Sequence, residues 1–289
     1  MSKQPGFAMK VSDLAPSIAF LIDHMGFKLV DHQPSADLAY VLDNDDDLTL
    51  LAGPKVDDVT TYLSPPCFVF KPGDTILFNA NDLDTWRTRL LNQGLSDLRE
   101  EEMALGDRKL SIPVFDGYIF SYVAIAEHSP DEIQALYEKG PGELEAVLTG
   151  LSEAELDLSD APDQWSIRQL VHHMAEGETL FVMQIKTALA QSGTTYVRSP
   201  YNQEIWPDVL GYAKRPVGPS VALVKAIRGN VLELLHYIPD NWERYVNVKF
   251  LEEEGEGRKT TVGETLTVMT RHLLEHSKDI QKIRSAHEL

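Results

Sequence analysis

The feature that most constrains this chain is an internal repeat in its first half. Residues 7–27, FAMKVSDLAPSIAFLIDHMGF, read as a strand, an Asp-Leu turn, an amphipathic helix and a closing glycine followed by an apolar residue. Residues 76–95, ILFNANDLDTWRTRLLNQGL, repeat that grammar: Asp13-Leu14 is answered by Asp82-Leu83, and Gly26-Phe27 by Gly94-Leu95. The interval from Asp to Gly is 13 residues in the first copy and 12 in the second. Aspartate suits a helix N-cap, and glycine suits the position just past a helix end, where the backbone turns left-handed. Each helix is followed by strand-like runs, FKLVDH, LAYVLD and LTLLAG in one copy and KLSIPVF and YIFSYVAIA in the other. Asn44 to Asp47 and Asp116-Gly117 supply hairpin turns. A duplicated βαβββ unit is the simplest architecture with this pattern.

From Ser129 the hydrophobic period changes from two to 3.6. Ser129-Pro130-Asp131-Glu132 places a cap, a proline at the first helical position and a glutamate at the third. Gly140-Pro141-Gly142 reads as an interruption, after which GELEAVLTGLSEAEL resumes helical spacing. Longer helical segments follow at about 165–191, 219–238 and 261–286, the last opened by a capping box at Thr261 and Glu264. No convincing strand separates these helices, so the spacing predicts an all-α antiparallel four-helix bundle. The connection 192–218 is long for a bundle, and loops of that length often carry function. A chain of 289 residues suits two cores better than one. The expected class is therefore α+β, with a first domain over 1–127 and the bundle over 128–289.

Charge removes whole classes of partner. The net charge is -19, and it is shared: residues 1–127 hold 20 acidic against 10 basic side chains, which leaves 25 against 16 for the rest. Neither half offers a basic face to nucleic acid or to anionic lipid. The one cysteine, Cys67, allows no intrachain disulfide, so a reducing cytoplasm is expected. The first residues, MSKQPGFAMKVSD, contain no apolar core of a signal peptide, and no apolar run approaches the ~18 residues of a membrane span.

The chemistry-bearing residues lie in the second half. The last helix carries an apolar stripe at Leu266, Met269, Leu273, Ile280 and Ile283, and His276 stands on it where an aliphatic residue would be expected. His272 lies one turn earlier, about 40° round the helix. Histidines at i and i+4 can aim two imidazoles at one volume, a metal-ligand spacing. On the second bundle helix, His173 sits beside Leu170, with Gly177 one turn on leaving room above its ring and Glu176 at i+3 as a candidate orienting acceptor. Against this stands the commoner case, a core histidine satisfied by hydrogen bonds. A metal site requires three convergent ligands and an open position.

The stretch QWSIRQLVHHMAEGE resembles the second-helix signature of DinB/YfiT-like proteins, with a Trp followed eight residues on by a double His. SPYNQEIW, containing Tyr201 and Trp206, is similar to the Tyr-acidic-Trp segment of the YfiT branch, and RHLLEHSKDIQKI resembles the family's last helix. The resemblance spans about 140–286. It implies a four-helix bundle holding one divalent metal, Zn or Ni, on three histidines with a fourth position open. His173 falls on the second-helix ligand. On the last helix one register places the family pair at His276 and Ile280, which loses a ligand unless His272 replaces it; a shifted register makes His272 and His276 the pair outright. The alternative is a bundle that kept the shape and dropped the metal.

The first half resembles the glyoxalase/bleomycin-resistance/dioxygenase (vicinal oxygen chelate) superfamily, through MKVSDLAPSIAFLIDHMGFKL and FDGYIFSYVAI. That superfamily's metal-ligand positions fall near Gly6, Leu50, Thr75 and Ser121, and none bears an imidazole or carboxylate. Glyoxalase-type or dioxygenase chemistry is therefore not expected, and a metal-free binding cleft or a structural role is. Blander features have blander explanations. The acidic run Asp43, Asp45, Asp46, Asp47 lacks the frame of a calcium loop. Glu252 to Glu254 suit an exposed turn, Trp86 suits packing, and Cys67 in CFVF suits a buried inert thiol.

Two functions follow, from different classes. In the first, the bundle is a metal-dependent hydrolase or thiol-dependent transferase acting on small electrophiles, with a bacterial low-molecular-weight thiol as co-substrate in the transferase case. His173, His272 and His276 are then ligands, with Glu176, Tyr201 and Trp206 around them. In the second, the chain is a non-catalytic binding or resistance protein that sequesters a small molecule in its N-terminal cleft. A homodimer is expected by analogy with both families.

Overall fold

The computed structural model describes residues 5, 7–43, 48–63, 68–80, 82–162, 164–202, 205–251 and 255–289. Gly6, the acidic residues 45–47, Cys67 and Glu252 to Glu254 lie outside the described residues. The chain forms two compact units, Met1–Ala126 and Glu127–Leu289.

In the first unit the elements are β1 (Phe7–Lys10), α1 (Leu14–Asp23), β2 (Lys28–Gln33), β3 (Leu38–Leu42), β4 (Leu48–Ala52) and β5 (Phe68–Phe70), then β6 (Thr75–Asn79), α2 (Leu83–Asn92), β7 (Arg99–Glu102), β8 (Arg108–Pro113) and β9 (Ile119–Ala124). The sheets are ordered β2-β3-β4-β1-β5 and β6-β9-β8-β7. β1 runs parallel to β4, with β3 and β2 following antiparallel; β6 runs parallel to β9, with β8 and β7 following in the same way. The two halves thus share one βαβββ topology, and β5 is an added edge strand parallel to β1. Asp13 and Asp82 cap α1 and α2 through backbone N–H groups of the first turn. Gly26 and Gly94 close the helices at φ 74° and 84°. Asp116 and Gly117, at φ 54° and 74°, make the tight turn between β8 and β9. Residues of both halves, among them Met9, Leu21, Ile76, Leu90, Tyr118 and Phe120, bury one shared apolar core.

β7 was not foreseen, because its sequence is REEE. It is an edge strand, so it needs no apolar face, and its acids pair with β8: Glu100 bonds Arg108, and Glu101 lies 2.7 Å from Lys109.

In the second unit the bundle helices are α3 (Pro130–Leu148), α4 (Ile167–Ala190), α6 (Gly218–Tyr237) and α7 (Val262–Ala286), with a single turn α5 (Trp206–Val209) in the long connection. Capping boxes open three of them: Ser129 with Glu132, Ser166 with Gln169, and Thr261 with Glu264. The helices form a ring in the order α3-α7-α4-α6. Gln184 of α4 donates to Thr265 of α7 at 3.0 Å while His173 meets His272, so these two run antiparallel; Tyr137 and Glu145 of α3 meet Arg228 and Lys225 of α6 in the same sense. The remaining neighbours run parallel, since Gly140 and Val147 of α3 meet Leu273 and Arg284 of α7, and His172 and Glu178 of α4 meet Ser220 and Arg228 of α6. Helices consecutive in the chain therefore sit diagonally as α3 with α4 and as α6 with α7.

Two expectations are corrected here. Gly140-Pro141-Gly142 does not interrupt the helix; α3 runs through it, with Gly140 and Pro141 buried. The bundle is also not strand-free: β10 (Thr195–Val197), β11 (Tyr245–Lys249) and β12 (Arg258–Thr261) form a small sheet beside it. Val246 and Val248 of β11 are buried between more exposed neighbours, a period-two signal too short to stand out among helices. Among the described residues, no helix is long and apolar enough to cross a membrane.

Candidate metal centre

α4 and α7 bring together the three histidines that spacing singled out. His173, His272 and His276 offer ring nitrogens that all lie within 4.8 Å of one another, the one group of its kind among the described residues. The Nε2 atoms of His173 and His272 are 2.9 Å apart, within hydrogen-bond distance of one another. The ring of His276 stands edge-on to both, with centroids 5.1 Å from His173 and 4.7 Å from His272. His272 thus stands with His173 and His276, as both readings of the last helix that retain a third histidine require. Ile280 is wholly buried in the apolar core.

Two of the imidazoles, those of His173 and His276, are held by side chains outside the trio. Nδ1 of His173 lies 3.0 Å from the Tyr201 hydroxyl, and its ring meets the edge of Trp165 at 4.6 Å. Tyr201 is in turn packed against Trp206, the first residue of α5, at 4.9 Å. Nδ1 of His276 lies 3.1 Å from the Asp279 carboxylate. Glu176 does not orient His173, as the i+3 spacing had suggested; its carboxylate turns toward Arg215, 3.8 Å away, and Tyr201 takes that place. Gly177 does make room for a ring, but for His272: a Cβ there would stand 3.1 Å from His272 Cε1. His172, the other half of the double His, is structural, with Ser220 Oγ at 2.8 Å and the Arg215 carbonyl at 3.1 Å occupying both its nitrogens.

Burial sets the protonation state. His173 is pushed down to about 4, by desolvation first and by His276 second. His272 is pushed down to about 3 by desolvation, with His276, His173 and Arg228 adding to it. Neutral imidazoles, each able to offer one ring-nitrogen lone pair, are what a divalent ion requires. Tetrahedral zinc at ~2.0–2.1 Å from each nitrogen would need the donors roughly 3.3 Å apart; those of His173 and His272 are 2.9 Å apart, and all three lie within 4.8 Å of one another. The donor set therefore fits a divalent metal. Beside it lies a cavity of about 400 Å³ lined by Asp160, Gln164, Trp165, Leu170, His276 and Asp279, with Ile283 at its wall. Asp279 went unnoticed in the sequence, although a carboxylate one turn after a histidine is a recognisable orienting spacing.

Comparison with known proteins falls on the same segment. Residues 136–280, half of the chain, match the family model described as the DinB superfamily. A Bacillus mycoides protein provisionally named a metal-dependent hydrolase is 25% identical over 167 residues, covering 57% of this chain and 91% of that protein. Bacillus subtilis YfiT, provisionally named in the same way, is 24% identical over 117 residues, covering 40% of this chain and 65% of YfiT. The YfiT structure, described with an unusual four-helix-bundle topology, is similar at 19% identity and a TM-score of 0.49, over 57% of this chain and 91% of YfiT. In the N-terminal part, the solved structure of a lactoylglutathione lyase from Agrobacterium tumefaciens is similar at 20% identity and a TM-score of 0.35, over 43% of this chain and 94% of the lyase. With a histidine from α4 and two from α7 converging inside the matched segment, the chain belongs to the DinB superfamily.

Proposed function

We propose that the bundle is a metal-dependent hydrolase of small molecules, with His173, His272 and His276 holding one divalent ion, zinc or nickel. The observation that carries this is the convergence of three imidazoles, two of them held neutral by burial and the third, His276, lining a cavity. A divalent ion held by these three histidines would supply a Lewis acid able to lower the pKa of a water or thiol. The chain's own residues supply the rest. Tyr201 and Asp279 hold the rings of His173 and His276 through their outer nitrogens. Trp165 excludes water from one side of His173 and forms part of the cavity wall. A cavity of about 400 Å³ suits a small substrate. Asp160 and Gln164 offer it polar contacts at the rim.

The finer form of this proposal is a thiol-dependent transfer, with a bacterial low-molecular-weight thiol as nucleophile in the same cavity. The N-terminal unit is proposed as a metal-free accessory or substrate-binding domain. Of the superfamily's ligand positions, Leu50 is wholly buried among apolar residues and Ser121 bonds Ser111 at 2.7 Å. Gly6 lies outside the described residues. A homodimer is proposed on family analogy alone.

The test is turnover of a panel of small esters, amides and epoxides by chelator-treated protein, with and without added thiol. Activity restored by one equivalent of zinc or nickel, and absent in His173→Ala, is the expected result. A rate that requires thiol would identify the transferase form, and turnover that survives chelation would contradict the metal site.

A further inference from the structure

Arg228 lies in the middle of α6 with its side chain only 1% exposed, and its guanidinium reaches the other three helices of the bundle. Nε donates to Glu178 of α4 at 2.6 Å, Nη1 to the Tyr137 carbonyl of α3 at 3.2 Å, and Nη2 to the Met269 carbonyl of α7 at 2.7 Å. The group also lies over the Tyr137 ring at 4.3 Å, and the Tyr137 hydroxyl donates to the second oxygen of Glu178 at 3.4 Å.

The sequence of α3 is adapted to receive this group. Tyr137 is four residues before Pro141, whose nitrogen has no hydrogen to give, so the Tyr137 carbonyl lacks its ordinary helical donor and Arg228 replaces it. Gly140 clears the space, since a Cβ there would overlap Nη1 of Arg228. The segment that looked like a helix break is thus the seat of a buried cation.

Such an arrangement is poorly explained as a device for stability. Apolar residues of similar volume often replace a buried ion pair at no cost, whereas a fork of donors fixes the relative placement of the groups it joins. The groups joined here flank the imidazoles: Glu178 follows Gly177, the residue against His272, and Met269 lies one turn before His272 on α7. We infer that Arg228 is a positioning residue of the metal centre, clamping α4 against α7 at the level where His173 must meet His272 and His276. The inference rests on the metal reading above. It assigns Arg228, Glu178 and the Gly140-Pro141 pair to the site although none of them lines the cavity.

The experiment is titration of the chelator-treated full chain with Co(II), followed by the visible absorption that reports its coordination. Three proteins are compared: the unaltered chain, Arg228→Lys, and the triple variant Pro141→Ala/Glu178→Gln/Arg228→Met. In the triple variant the Pro141→Ala change returns a donor to the Tyr137 carbonyl and no charge is left unpaired, so the metal-free fold survives without the clamp. Its metal-free melting temperature should lie close to that of the unaltered chain, while Co(II) affinity falls about 10- to 100-fold and the spectrum changes. Lysine keeps the charge but cannot span Glu178 and both carbonyls, so Arg228→Lys should also bind Co(II) more weakly. Unchanged affinity and spectrum in the folded triple variant, or full affinity in Arg228→Lys, would overturn the positioning role alone. An unaltered chain that binds no Co(II) would overturn the metal reading and this inference with it.

Discussion

His173 and His272 sit at about 4 and 3 because burial penalises their charged forms, and an unfolded chain has no such penalty. Below about 6.5 the unfolded chain takes up protons at these rings and the folded chain does not. Their contribution to stability is therefore complete above that pH and is lost as pH falls toward the folded values. The melting temperature of metal-free protein should drop between about pH 6.5 and 4, and His272→Gln should flatten the slope; equal slopes would show that the ring titrates freely. Gly177→Ala separates stability from binding. Alanine favours a helix interior by about 1 kcal/mol over glycine, yet its Cβ would press on the His272 ring. Metal affinity should fall several-fold without loss of melting temperature, and unchanged affinity would show that the ring has room to move. The histidines were legible because i,i+4 spacing and an imidazole on an apolar stripe are local signals. Tyr201 as the partner of His173 was not, since the two lie far apart in sequence on a loop and a helix and no spacing rule joins them.

Elements with local start and stop signals were the ones the sequence announced. The capping boxes at Ser129 and Thr261 and the Asp caps of the repeat mark helix starts within a residue or two. What failed was local too, but overridden from a distance: α3 continues through Pro141 because Arg228, far along the chain, supplies the missing donor. The charged β7 and the short β10, β11 and β12 are held by their pairing partners more than by their own propensity. The two closing glycines of the repeat allow a measured comparison. At Gly94 a Cβ meets nothing within 4 Å, so Gly94→Ala carries only the left-handed cost, about 1 kcal/mol. At Gly26 the same Cβ would collide with the Arg89 guanidinium, which donates to the Met25 carbonyl at 3.3 Å. Gly26→Ala should be the more destabilising of the two in denaturant titration. Equal losses would mean that Arg89 moves aside freely.

At the scale of the molecule, two units with separate cores are joined in one chain, and only the second contains a described cluster fit for a metal. Calorimetry should resolve two transitions, and an added divalent ion should raise only the one belonging to residues 127–289, by the mass-action stabilisation of a folded-state ligand. An ion that shifts the other transition would place a site in the N-terminal unit. The two-part plan was legible because a strand period gives way to a helix period at Ser129, whereas the ring order of the bundle was not, since loops carry no pattern that says which helices become neighbours. The most direct test of the whole account is elemental analysis of untagged protein exposed to zinc or nickel and then desalted. About one divalent ion per chain, lost in His276→Ala, is the predicted result; an unaltered chain that retains none, or a variant that keeps its full complement, would contradict it.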